Sequence, residues 1–470
     1  MNRLRTVYPI KIVSSERVEN AQALLEKKDL QINLTSSGMA CAEGGGYIIF
    51  DFGKEMCGGV RILVGAIEEK HSRIRIRFGE SLTEACSQLG EKGACNDHSI
   101  RDFIQPISFW SDFRVGNTGY RFVRLDFLGE KPVCLKAVVG TNSMYSKKAE
   151  YTYRGKDPTV KKIFTAAKRT MDLCVQNGHI WDGVKRDRLV WVGDMHPEML
   201  ALTTLYGRVE EFERSLDFLR RTTPLDEWMN GIATYSMWWV IIVADYFKAT
   251  ACHDFIGPQL DYIQALIERL DGTEDENGAF DYPSILVDWP TRHTEDEPTG
   301  VRAILTLAAQ RAAEVLTQFD MDASHANSLL AKVRRVPLTV KKQKQVIALK
   351  YLAEGRIDDG DYAKLTAGGA EGMSTFMSYY VLSAIASRDE GLAVEIMKEY
   401  YGAMLKKGAT TFWEDFEIGW SAGSGRIDAF PKEGQRDIHG DYGKYCYTGF
   451  RHSLCHGWSS GVIKFIKEHC

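Results

Sequence analysis

Near Asp157-Pro158 the hydrophobic periodicity of this chain changes from two to that of a helix, and it does not change back. A period of two places alternate side chains on opposite faces of a strand, whereas helical spacing gathers residues three and four apart on one face. A chain that switches once is constrained to a strand-built part followed by a helix-built part. Its 470 residues are also too many for one ordinary core. The predicted organisation is a β + α multidomain chain, with an N-terminal antiparallel β-sandwich over residues 1–150 and helices over residues 151–470.

The strand assignment rests on residues 47–52, 60–64, 72–78, 107–110 and 122–127. The third alternates strictly, with Arg73, Arg75 and Arg77 on one face and Ile74, Ile76 and Phe78 on the other. Gly44-Gly45-Gly46 and Gly58-Gly59 are read as turns separating the early strands. Residues 1–30 read as a lead-in with one short helix at 18–28. Beyond Pro158, which fits a helix start, Val160, Ile163, Phe164, Ala167, Met171 and Cys174 share one face. Further helices are expected at 197–205, 209–221, 238–249, 259–270, 302–317, 323–333, 339–353, 375–386, 391–401 and 457–468. Many helices without strands indicate an α/α hairpin array or toroid. An open solenoid fits the same pattern, although no repeat of fixed length is evident. A closed toroid would gather loops distant in sequence at one end.

Hydrophobic residues at 44%, charged residues at 26% and a net charge of −4 describe a globular chain with no electrostatic reason to bind nucleic acid or an anionic membrane. No apolar run is long enough for a membrane span. No apolar stretch follows the basic residues of 1–9, so no secretory signal is expected. The ten cysteines lack paired spacing and are read as reduced thiols in the cytoplasm, with Cys446, Cys455 and Cys470 as free, buried residues. There is no Gly-x-Ser-x-Gly elbow, phosphate-binding lysine loop or His-Glu-x-x-His, and the glycine-rich segments lack the helix a dinucleotide site needs. Neither cofactor nor metal is expected. The sequence gives no indication of oligomeric state.

Chemistry concentrates in residues 181–194, where Asp182, Asp187 and Asp194 accompany Lys185, Arg186, Arg188, Trp181 and Trp191. Charges this dense beside indoles do not suit a core, because a buried charge needs a partner. They suit the wall of a polar pocket, in which carboxylates bind hydroxyls and indoles cover an apolar ring face. The plain alternative is a charged turn in which Asp187 pairs with Arg186 or Arg188. Cleaving a glycoside by inversion needs a second carboxylate across the bond. The candidate is Glu414, in Thr411-Phe412-Trp413-Glu414. Asp288-Trp289-Pro290 has a similar character. In Tyr235-Ser236-Met237-Trp238-Trp239 one indole is expected to face the pocket and one the core. His452, His456 and Trp458 cluster near the C-terminus. His196 and Glu198 read as helix-start residues, and Glu295-Asp296-Glu297 as a solvated acidic run or a cation site.

At these motifs the chain resembles the α-L-rhamnosidases of glycoside hydrolase family 78, six-hairpin glycosidases. The pattern of an Asp, an Arg four residues on, an acidic residue, a Trp and a final Asp appears as Asp182, Arg186, Asp187, Trp191 and Asp194. Thr411-Phe412-Trp413-Glu414 and Ser453-Leu454-Cys455-His456 are similar to two later landmarks, and Asp51 to Glu55, Arg77 to Ser81 and Gly119 to Arg124 to the sandwich. The resemblance implies an (α/α)6 barrel over residues 151–470 and inverting release of a terminal α-L-rhamnose. It places Asp187 as general acid and Glu414 as general base, with a proton held on the acid. It implies Asp182, Arg186 and Asp194 on sugar hydroxyls, lined by Trp191, Trp239, Trp289 and His456, with Asp288 and Trp413 beside them. The acid position is commonly Glu in the family, and Asp187 is one methylene shorter. Family members often continue into a further C-terminal β-sandwich. The rival reading is a carbohydrate-binding protein that keeps the barrel without efficient acid catalysis.

Overall fold

A computed structural model of the chain describes residues 2–32, 38–69, 71–273, 280–445 and 447–470. The first part is built from β1 (Asn2–Val7), β2 (Lys11–Glu19), β3 (Ala40–Ile67), β4 (Ser72–Gly79), β5 (Asp102–Ile107), β6 (Asp112–Phe127) and β7 (Val133–Tyr145). They form one antiparallel sheet in the order β1-β7-β3-β6-β4-β5, with β2 alongside β3. Ile74, Ile76 and Phe78 turn inward onto Phe50, Ile62, Tyr120 and Leu125. On the other face Arg75 is answered by Asp102 and Arg77 by Asp126.

Several expectations change here. The lead-in contributes β1 and β2 to the sheet, and only Ala21–Leu25 makes a helical turn. Gly58-Gly59 does not end a strand, because β3 runs through it. A Cβ on Gly59 would lie 2.2 Å from the carbonyl oxygens of Val115 and Gly116, so glycine is what lets β6 approach β3 there. The run at 107–110 stops at Ile107, and Trp110, with φ 52°, belongs to the turn before β6. Strand β7 was not foreseen. Cys41 and Cys134 stand directly opposite one another on β3 and β7 and form a disulfide. This corrects the reading of all ten cysteines as reduced, and the cysteines no longer argue for a cytosolic location. Cys455 is free and buried, Cys470 is free and exposed, and Cys446 lies outside the described residues.

Helix α1 (Leu82–Cys86) lies within the sheet region. The helical part holds α2 (Pro158–Cys174), α3 (Met195–Tyr206), α4 (Glu210–Thr222), α5 (Ala233–Thr250), α6 (His253–Ile256), α7 (Leu260–Asp271) and α8 (Glu297–Gln318). It continues with α9 (Ser324–Val333), α10 (Lys344–Glu354), α11 (Asp359–Thr366), α12 (Ser378–Ala386), α13 (Glu390–Lys406) and α14 (Val462–His469). Asp157 caps α2 through the N–H groups of Thr159 and Val160, with Pro158 at its first position. Packing contacts run from α3 to α5, α8, α10, α12 and α14 and back to α3, which closes a ring. The ring helix α5 is apolar nearly all round and buried, whereas α4 buries one face through Phe212, Leu216 and Leu219.

Of the acidic run at 295–297 only Glu295 is solvated, while Asp296 and Glu297 are buried. Asp296 is buried and accepts the N–H groups of Lys341, Lys342 and Gln343. Those bonds hold the segment out of helical geometry, and α10 therefore starts at Lys344 rather than 339. The short α11, capped by Asp358 on the N–H of Asp361, was not anticipated. Among the described residues, no helix is long and apolar enough to cross a membrane.

Candidate active site

After α2 the chain makes a two-rung hairpin (Val175–Gln176 with His179–Ile180) and then leaves regular structure until Asp194 opens α3. Asp187 and Arg188 both have positive φ, 52° and 58°, and the N–H of Arg188 donates to Arg186 O at 2.7 Å. This tight turn sends Lys185 toward the sheet and Arg186 and Asp187 toward the ring. Asp182 braces the turn by accepting the N–H of Leu189 at 2.9 Å.

Two distant segments are stitched to it. Gly183 bridges to His456, and the N–H of Gly457 donates to Asp182 O at 2.6 Å. The N–H of His456 donates to Phe412 O, and the N–H of Glu414 to Ser453 O, each at 3.0 Å. Gly457 cannot carry a side chain, because a Cβ would lie 1.9 Å from Glu198 Oε1. Residues 182–187, 412–414 and 453–457 thus meet at the N-terminal ends of α3 and α14.

They surround a cavity of about 220 Å³ lined by Asp182, Asp187, Trp191, Asp194, Trp289, Glu414 and His456. Of the candidate residues, these seven are brought together. Arg186 lies buried behind them, donating from Nη2 to Glu414 and from Nη1 to Asp187 Oδ1 at 2.8 Å. Its guanidinium rests on the Tyr447 ring, 3.7 Å from the centroid. Glu414 Oε2 accepts the N–H of Ser453 at 3.1 Å, so each carboxylate oxygen has a donor.

Three candidates are not on this cavity. Trp239 is buried in the ring, with Nε1 donating to Leu216 O at 3.2 Å and its edge against Tyr262. Trp238 is buried as well, so neither indole of that pair faces the cavity. Tyr235, one turn earlier, takes the place expected of an indole. Trp413 packs against Phe416 and His452. Asp288 lies behind Trp289, accepting from its N–H at 2.8 Å and from Ser374 Oγ at 2.5 Å. The sequence carried no signal for Arg292 or Tyr447, which also line the cavity.

Burial pushes the carboxyls of Asp182 and Asp194 well above their ordinary range. The charge of Asp194, then Asp187, adds to the effect at Asp182, and Glu414, then Asp187, at Asp194. Glu198, beneath them, is raised by burial and then by both aspartates. His456 is pushed down to about 3 by burial and then by Arg186, which leaves it neutral. Its Nε2 stands 3.7 Å from Asp182, 3.9 Å from Asp194 and 3.6 Å from Glu414. The carboxyls offer acceptor oxygens and the neutral imidazole both donates and accepts, which matches what sugar hydroxyls need. Trp289, stacked on Tyr445, and Trp458, stacked on Phe376, give the cavity flat apolar faces.

Beside the cavity, ligand atoms of Glu80, Glu84 and His439 lie within 4.8 Å of one another, as metal ligands would. Lys185 Nζ is already there, 3.0 Å from Glu80 and 3.2 Å from Glu84. It also donates to Phe450 O at 2.8 Å and His452 O at 2.6 Å. An ammonium therefore answers those charges, and Glu80 in turn accepts the N–H of Leu454 at 2.6 Å. His196 and Glu198 do sit at the start of α3, where His196 contacts Tyr380 and Asp245 at 2.7 and 3.2 Å.

No family model and no curated protein matches the sequence. Solved structures do. A rhamnosidase from Klebsiella oxytoca with rhamnose bound superposes with a TM-score of 0.79 at 18% identity, covering 100% of this chain and 96% of that one. The chain has the fold of the α-L-rhamnosidases. A GH78 family rhamnosidase of Bacillus sp. GL1 matches at TM-score 0.72 and 16% identity, over 95% of this chain and 48% of that one. The Streptomyces avermitilis α-L-rhamnosidase complexed with L-rhamnose matches at 0.65 and 16%, over 99% and 43%. The present chain spans nearly all of the first rhamnosidase and about half of each of the other two. The resemblance read from the motifs is to this same group.

Proposed function

We propose that this protein is an inverting glycoside hydrolase that releases terminal α-L-rhamnose, or a similar sugar, from a glycoside or oligosaccharide. In this reading residues 1–150 are the β-sandwich and residues 151–470 an (α/α)6 barrel, supported by the closed ring of six packed helices. The observation that carries it is Arg186. One guanidinium grips Glu414 with one nitrogen and Asp187 with the other, so two carboxylates face one small cavity at a set separation.

Glu414 acts as general base. It takes a proton from water as that water attacks the anomeric carbon. Asp187 acts as general acid, giving a proton to the glycosidic oxygen as the bond to the anomeric carbon breaks. Both known contacts of its carboxyl fall on Oδ1, which leaves Oδ2 to meet the leaving group. Asp182, Asp194 and His456 bind hydroxyls, and Trp289 with Trp191 cover the apolar face of the ring. About 220 Å³ is below the roughly 300–1,000 Å³ of pockets for drug-sized ligands, which suits one terminal sugar. The rival is a sugar-binding protein without turnover, favoured by the short reach of Asp187.

Hydrolysis of an aryl α-L-rhamnoside beside other aryl glycosides tests the proposal. Turnover confined to the rhamnoside and lost by at least about 100-fold in Glu414→Gln supports it. Rhamnose binding with no turnover of any glycoside would establish the rival.

A further inference from the structure

Asp187 is held from the sheet-built part of the chain, by His98. This histidine lies between the helical turn Glu91–Gly93 and β5, and has a φ of 61°. Its loop grips both halves of the cavity rim. Ser99 Oγ donates to Lys185 O at 2.5 Å, and Asp97 is ion-paired with Arg451. Between these two anchors, His98 Nδ1 is 2.8 Å from the backbone N of Asp187 and 3.0 Å from Asp187 Oδ1.

Those two contacts make opposite demands on one nitrogen. An unprotonated Nδ1 accepts the backbone N–H with its one lone pair, and the nearby Oδ1 is then least repelled when the carboxyl carries its proton on Oδ2. A protonated Nδ1 donates to the carboxylate and gives up the backbone bond. In either state the pair holds one proton, on His98 Nδ1 or on Asp187 Oδ2. We infer that His98 is the positioning residue for Asp187, and that the two share the proton delivered to the leaving group.

The kinetic part of this inference rests on the hydrolase reading, and the proton sharing does not. The charged and titratable groups around the pair are Arg186 on the same Oδ1, Arg188 on the same turn, Asp182, Asp194, Glu414 and His456 across the cavity, and Asp97 with Arg451 on the loop. In a turnover the shared proton passes to the glycosidic oxygen as its bond to carbon breaks. Glu414 takes one from the attacking water and releases it to solvent. The pair regains one from solvent through the imidazole, whose side chain is 40% exposed.

Two measurements decide this. In nitrogen-15 NMR of histidine-labelled protein at one fixed pH, the His98 ring signals are assigned by their absence in His98→Asn. They should move in Asp187→Asn toward those of an imidazole whose Nδ1 carries no proton, because the carboxylate that Nδ1 faces is gone. Unmoved signals would overturn the sharing, whether or not the protein turns over sugars. In kinetics, His98→Asn still presents an acceptor to the Asp187 N–H but cannot hold the proton. Turnover of an alkyl rhamnoside should fall about tenfold or more, with far less loss on the aryl rhamnoside and with the alkaline limb moved to lower pH. If His98→Asn matches wild type on both substrates and in pH profile, His98 is only a brace and the inference fails. A wild type inactive on every glycoside removes the hydrolase reading and leaves the NMR comparison to decide the pair.

Discussion

Replacing Lys185 by methionine is the sharpest test of how the sheet and the helices are locked together. Lys185 Nζ sits 3.0 and 3.2 Å from the fully buried Glu80 and Glu84. At an effective dielectric near 20, each pair attracts by about 5 kcal/mol. Dehydrating the ammonium returns several kcal/mol of that. Methionine fills similar space but leaves the two carboxylates facing one another, with Phe450 O deprived of its donor. Removing one partner from a buried charge cluster costs about 3–5 kcal/mol. Lys185→Met should therefore lower Tm by about 5 °C or more in thermal melts near neutral pH. The control is the pair: Lys185→Met with Glu84→Gln should recover at least about half the loss, since it removes one uncompensated charge. A loss under about 1 kcal/mol, or a double variant no more stable than the single, would refute the view of Lys185 as a charge clamp.

Asp288 is pushed up to about 7 by burial, against hydrogen bonds from Ser374 and the Trp289 N–H that pull it down. A raised carboxyl stabilises the fold fully below its ordinary value near 3.8, and that contribution is lost as pH rises to about 7. The loss is on the order of 4 kcal/mol. Asp288→Asn removes the dependence, so its Tm should fall less than that of wild type between pH 4 and pH 8; equal slopes would count against burial as the cause. In the sheet, Gly59→Ala forces a methyl onto two carbonyl oxygens and should cost about 1–3 kcal/mol in denaturant unfolding. Gly419→Ala, with nothing within 4 Å of the new atom, should stay within about 0.5 kcal/mol, and a similar cost at both sites would sink the close-approach argument.

The residues that depend on local spacing were legible without a structure. The single change of period at Asp157-Pro158, the cap it makes for α2 and the alternation in β4 all follow from neighbours a few positions apart. So did the crowding of Asp182, Asp187 and Asp194 with Trp191, because four such residues in one short stretch have few places to go except a polar pocket. Which indole would face that pocket was not legible. Trp239 and Trp413 carry the same chemistry as Trp289, yet a helix buried on all sides hides its orientation from the pattern, and Trp239 points into the ring. Strands β1, β2 and β7 were missed: β2 has no buried residue, and β7, although mostly buried, breaks its apolar run at Gly140-Thr141-Asn142.

Other features belong to tertiary structure alone. Arg186 meets Glu414 across 228 residues, Lys185 meets His452 across 267, and His98 meets Asp187 across 89. The sequence by itself determined that strands precede helices and that three aspartates crowd beside indoles in one stretch. Only the closed ring and the sheet packed against it decided which distant charges share that site, because a buried charge is tolerated by whatever partner the fold brings to it, however far away in the chain.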